Sequence, residues 1–188
     1  MSARFPTWLA ACALVACATP RASESIPLVA VTAPTGPLVQ VQLEVSDQRL
    51  ADWFPERRPE LVITNDVRLL IENRVEVELA RSRVVRAAEA PAQLKVEILD
   101  FWFDWRRHDF MDYRVHALLR LRMALLAPGQ RLLWSGFFTG QVAQPERAPN
   151  PQREAADYLE RAIDAAMASA DERGAFRELS AALESKAP

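Results

Sequence analysis

Apolar and polar residues alternate from Leu38 through Val39, Gln40, Val41, Gln42, Leu43 and Glu44 to Val45. That period of two predicts a half-buried strand. Ser46-Asp47-Gln48-Arg49 turns out of it, and residues 53–59 hold Pro55 and Pro59 and read as an irregular loop. Leu61-Val62-Ile63 predicts a short edge strand. Thr64-Asn65-Asp66 then supplies cap-type residues, with an acid near the positive end of a helix. Val67, Leu70, Ile71, Val75 and Leu79 recur at spacings of three and four, one apolar stripe on an amphipathic helix.

The period returns to two at Leu94, Val96 and Ile98, and then the apolar parity moves by one residue to Leu99, Phe101, Phe103 and Trp105. A one-residue shift inside a strand predicts a β-bulge. Tyr113, Val115, Ala117, Leu119, Leu121, Met123 and Leu125 form a longer alternation. Pro128-Gly129 marks a turn, and residues 131–141 read as the next strand. Asn150-Pro151 precedes a second helix, whose buried stripe is Ala155, Leu159, Ala162, Ile163, Ala166 and Met167. Gly174 closes it, and Phe176, Leu179, Ala182 and Leu183 suggest a last short helix. One amphipathic sheet and two main amphipathic helices bury each other most simply as two layers. The expected fold is therefore α+β, an antiparallel sheet of about four strands with the helices on one face, in the order β-α-β-β-β-α.

The 188 residues suit one domain with extensions. The formal net charge of −2 offers no electrostatic case for nucleic-acid binding. Both cysteines, Cys12 and Cys17, lie at the amino terminus. A disulfide framework, a thiolate nucleophile and a cysteine metal site are thus excluded from the body of the chain.

Arg4 and the mostly apolar residues 5–16 have the make-up of a secretory signal peptide, and the run is too short to span a bilayer. Leu14-Val15-Ala16-Cys17 resembles the bacterial lipobox, in which the cysteine is acylated and becomes the first residue after cleavage. Leu9-Ala10-Ala11-Cys12 also fits, but cleavage there would leave a very short apolar region. An ordinary signal peptide with incidental cysteines is the other reading. Lipidation at Cys17 implies a membrane anchor, and Ala18 in the next position favours, by resemblance, the outer membrane over the inner. The expected division is a signal peptide over residues 1–16, a lipidated, proline-rich tether over residues 17–37, and one periplasmic domain over residues 38–188. At ~3.1 Å per residue, about twenty residues of tether could reach ~60 Å.

The lipobox, Asp47-Gln48-Arg49 after the first strand, Asp66-Val67-Arg68-Leu69-Leu70 at the helix start, the strand around Leu94-Lys95-Val96-Glu97-Ile98, and the alanine-rich helix near Ala162 follow one another in an order that resembles the YajG-like bacterial lipoproteins. The general architecture also resembles auxiliary lipoproteins of envelope lipid-transport systems and activator lipoproteins of penicillin-binding proteins. The YajG-like resemblance implies no reaction and no catalytic residues.

The densest chemistry is Phe101-Trp102-Phe103-Asp104-Trp105-Arg106-Arg107-His108, continuing to His116. Aromatics mixed with arginine make binding hot spots, and arginine meets phosphate or carboxylate through two parallel bonds. Trp102, Trp105, Arg106 and Arg107 are the candidate partner-binding residues. The same run also reads as a sheet whose aromatics pack under the helices and end in a charged hairpin, though Trp102 and Phe103 must face opposite ways on a strand. Arg114, His116, Arg120 and Arg122 share one strand face, either as an anion-binding stripe or as a row paired with acids on the next strand. His108, Asp109, Asp112 and His116 lack diagnostic metal spacing. There is no nucleophile elbow, phosphate loop or glycine-rich cradle. The expectation is a non-enzymatic accessory or adaptor lipoprotein with no cofactor and no metal. It is held to the membrane by lipid, contacts an envelope protein, binds no nucleic acid, and has an oligomeric state the sequence leaves open. An auxiliary protein of lipid or ligand transport is the second reading.

Overall fold

The computed structural model describes residues 22–35, 38–49, 61–63, 66–107, 113–146 and 154–184. Cys17, the loop at residues 53–59, Thr64, Asn65, residues 108–112 and Asn150-Pro151 lie outside them.

Among the described residues, seven strands and three α-helices follow in the order β1 (Ala22–Glu24), β2 (Val39–Asp47), β3 (Leu61–Ile63), α1 (Val67–Arg81), β4 (Val84–Arg86), β5 (Gln93–Arg107), β6 (Tyr113–Ala127), β7 (Arg131–Glu146), α2 (Ala155–Glu172) and α3 (Ala175–Glu184). Five strands form the main sheet in the order β4-β2-β5-β6-β7, and β1 pairs with β3 separately. The fold is the expected α+β. The sheet is mixed, however: β2 runs parallel to both β4 and β5, while β5, β6 and β7 form the antiparallel meander. The physical reason is the α1 crossover. A strand that leads into a helix and returns to the same sheet edge re-enters parallel to itself.

Asp66 caps α1, its side chain accepting from the Arg68 backbone N–H at 2.9 Å. The α1 stripe of Leu70, Ile71, Val75 and Leu79 is buried as its spacing predicts. On β5, Leu94, Val96 and Ile98 face the helices, the register shifts between Ile98 and Asp100, and Phe101, Phe103 and Trp105 resume the same face. The bulge at Leu99 is thus where the change of parity puts it. On β6, alternate residues from Val115 to Leu125 are buried against the helices.

α2 lies over β7 and β6, and its approach is set by one residue. A Cβ on Gly140 would stand 1.8 Å from the Ala162 carbonyl oxygen, so only glycine lets the helix backbone settle on the strand. Gly174, at φ 72°, links α2 to α3. Its N–H donates to the Asp171 carbonyl at 2.8 Å. Phe176, Leu179 and Leu183 carry α3 into the same core.

The amino-terminal segment departs from the expected loose tether. Ile26 is 1% exposed and belongs to the core. Beyond it, Asn73 of α1 clamps the Val29 peptide twice: the Val29 N–H donates to Oδ1 at 2.8 Å, and Nδ2 donates to the Val29 carbonyl at 2.9 Å. The packed body therefore begins by Ile26, ahead of residue 38. Pro27 and Pro34 lie outside any helix or strand, so composition alone could not reveal a backbone held by a side chain from elsewhere.

Candidate interaction surface

Helices cover one face of the sheet, and the alternation of β5, β6 and β7 delivers every second side chain to the other. Trp102 sits on this open face, half-buried, opposite Leu118 of β6, which in turn lies opposite Gln141 of β7. Phe137 is 59% exposed and stands opposite Arg122. Two aromatics on separate strands, a leucine and exposed polar strand positions make up this face.

The charges between these apolar groups are largely matched. Arg120 reaches Asp100 at 2.7 Å, Arg122 reaches Glu97 at 3.3 Å, and Lys95 lies 3.8 Å from Glu44. Each pair joins neighbouring strands in direct or near register. Arg120 and Arg122 are therefore cross-strand partners of carboxylates, which weakens the reading of the row as an anion-binding stripe. His116 stands opposite Asp104 in the ladder.

The four candidate contact residues separate. Trp102 is on the open face. Trp105 is 4% exposed and packs against Phe103, with ring centroids 5.5 Å apart and planes tilted by 37°. It belongs to the core and is not a contact residue of the open face. The bulge at Leu99 explains the separation: after it, odd-numbered residues of β5 turn to the helices, where Phe103 also meets Tyr158 of α2 at 5.8 Å. Arg106 and Arg107 hold ladder positions opposite Arg114 and Tyr113, and their side chains lie outside what is described, as does Cys17. Phe137 is the residue that sequence reading passed over. The signal was present, because Phe138 occupies the buried parity of β7 and its neighbour must face outward.

The helical side carries charge of another kind. Arg74 bridges α1 to α2 through Glu160 and through Asp164 at 3.7 Å. Beside it, Val29, Val77, Glu78, Arg81, Asp164 and Met167 contribute to a cleft of about 430 Å³. Burial pushes the Glu78 carboxyl above its usual pKa, and Asp171 and Asp164 add to that, against the lowering effect of Arg81. At the end of β2, Arg49 holds Asp47 through Nε at 2.8 Å and Nη2 at 2.6 Å, which lowers the Asp47 pKa. The Asp47-Gln48-Arg49 sequence is thus a local fork that fixes the exit from the strand. Among the described residues, no three His, Cys, Asp or Glu side chains group to hold a metal ion. None of the described helices is long and apolar enough to cross a membrane.

No family model matches the chain, and no curated protein matches it in sequence. Solved structures do resemble it. A Xanthomonas campestris protein of the DUF330 family superposes with a TM-score of 0.57 at 16% identity, over 88% of this chain and 99% of that one. A minor lipoprotein from Acinetobacter baumannii gives 0.45 at 16% identity, over 77% and 94% of the two chains. A lipoprotein from Neisseria meningitidis gives 0.40 at 8% identity, over 70% and 99%. The chain shares the fold of the DUF330 protein.

Proposed function

We propose that this chain is a bacterial envelope lipoprotein, acylated at Cys17, whose domain acts without catalysis as an accessory or adaptor that docks a partner protein on its open sheet face. One observation carries the docking reading: the face opposite the helices holds Trp102 and Leu118 in register, with Phe137 exposed on the same sheet. The anchor rests on the lipobox-like Leu14-Val15-Ala16-Cys17, and Ala18 favours the outer membrane. The resemblance to YajG-like lipoproteins supports the same placement, and the lipoprotein names among the solved structures point the same way without carrying it. With Ile26 already in the core, the link from Cys17 to the packed body is about eight residues, or roughly 25 Å when extended. Such a short link holds the domain close to the bilayer, so a partner in the same membrane meets it at high effective concentration.

The test is purification of the lipidated protein from its native membranes in mild detergent, with mass spectrometry of the proteins and lipids that accompany it. A near-stoichiometric envelope protein that is lost on Trp102→Ala and Phe137→Ala supports the docking face. Loss on Cys17→Ser shows that the anchor is required. Phospholipid retained without a protein partner would replace the adaptor reading by lipid handling. A partner unaffected by either aromatic substitution would remove the open face from the proposal.

A further inference from the structure

β7 runs for 16 residues at the end of the sheet, with β6 on one side and no described strand on the other. Its outward groups can be identified. The Phe137 carbonyl accepts a hydrogen bond from Arg173 Nη1 at 2.7 Å, so it turns away from β6. In an antiparallel ladder the backbone groups alternate in direction along the strand. Ser135, Thr139, Gln141, Ala143 and Pro145 therefore also turn outward. Pro145 agrees independently: it has no N–H to give and is tolerated in a strand where its nitrogen faces out. Residues 132–144 contain no charged side chain, although charges are a common way to keep a strand edge from pairing.

We propose that this edge pairs antiparallel with the same edge of a second copy of the chain, about a two-fold axis at Gln141. That register sets Gln141 opposite itself, Thr139 opposite Ala143, and Phe137 opposite Pro145. It places the carbonyl already held by Arg173 against the outward residue that has no N–H to offer it. Slips of two and of four residues both break this match: centred on Gly140, Phe137 would face Ala143, whose N–H would compete with Arg173. Centred on Thr139, Phe137 would face Gln141, whose N–H would compete with Arg173. Pro145 would then face Leu133, at the register shift between Leu125 and Leu126 of β6. A strand of unrelated sequence would bring an N–H against Phe137 and displace Arg173, which is why a second copy is the occupant that fits. The uncharged run lets the strand meet itself without like charges in opposition, and the product is a closed two-fold dimer with the two five-stranded sheets joined edge to edge.

The experiment is sedimentation equilibrium of the full lipidated chain in density-matched mild detergent. A dimer is expected. Gln141→Lys sets like charges across the axis, and Thr139→Pro removes an outward N–H while leaving the ladder to β6 intact; both are expected to give monomer with an unchanged far-ultraviolet circular dichroism spectrum. Directly opposite residues in such a pair have Cα atoms about 5.5 Å apart, within disulfide reach. Gln141→Cys is therefore expected to cross-link to itself on oxidation, and Ser135→Cys is not. A monomeric wild type overturns the proposal. So does a dimer that survives both Gln141→Lys and Thr139→Pro, or cross-linking at Ser135→Cys as complete as at Gln141→Cys.

Discussion

Single atoms decide several features of this protein. Gly140 has no Cβ, and α2 occupies the space that one would fill. Gly140→Ala must push the helix off the strand or bend β7, and overpacking of this kind costs about 2 kcal/mol or more; chemical denaturation should show it as a lower midpoint with an unchanged slope. The two tryptophans of β5 provide an internal comparison. Trp105→Ala empties a core position and should cost about 3–5 kcal/mol, whereas Trp102→Ala, on the open face, should lose far less stability and act on partner capture. An equal loss of stability would place both in the core. Glu78 adds a pH-dependent term. Its carboxyl is raised by burial first, so the folded state holds that proton more tightly than the unfolded chain. Relative stability is then complete below the ordinary carboxyl pKa and falls as pH rises through the raised value. Glu78→Gln should accordingly raise Tm at pH 7 and leave it unchanged near pH 3, in thermal melts at both values.

At the scale of elements, the bulge in β5 governs which side chains reach the core. Deleting Leu99, the extra residue, would leave Ile98, Asp100 and Phe101 opposite Leu121, Arg120 and Leu119 in a regular ladder and keep Phe101, Phe103 and Trp105 on the helix face. The expected outcome is retained cooperative unfolding with no increase in binding of a hydrophobic dye. Deleting Leu119 from the regular alternation of β6 exchanges the two faces of the rest of that strand, and should abolish cooperative unfolding. This bulge was legible in the sequence because the apolar parity changed between Ile98 and Phe101, and the long alternation of β6 and the stripes of α1 and α2 were legible for the same reason: one face of each is apolar and the other is not. The parallel pairing of β2 was not legible. β4 is three residues long, too short to carry a period, and the direction in which two strands pair is set by the crossover between them. The candidate surface was half legible. Alternation sends Trp102 and Trp105 to opposite faces once the bulge is placed, while the pairing of Arg120 with Asp100 and of Arg122 with Glu97 depends on a register that a sequence does not display.

The whole molecule differs from a domain on a free leash, because the segment ahead of β2 is itself part of the fold. Ile26 enters the core, and Asn73 then holds the Val29 peptide by two hydrogen bonds. These two attachments have different physical weight. Removing most of the Ile26 side chain leaves a cavity shared by the sheet and helices, so Ile26→Ala should lower global stability by about 2–5 kcal/mol. The Asn73 bonds contribute about 1 kcal/mol each and act on a segment at the surface of α1. Asn73→Ala should therefore speed amide exchange at Val29 and open residues 27–35 to proteolysis while shifting the global midpoint much less than Ile26→Ala does. Hydrogen exchange measured by mass spectrometry separates the cases. If Ile26→Ala speeds exchange only within the leading segment and leaves β5 and β6 protected as before, that segment is a detachable clip. If the loss spreads to β5 and β6, as the position of Ile26 in the core predicts, leading segment and domain unfold as one cooperative body, and under the proposed acylation at Cys17 the distance between membrane and sheet is a property of the fold.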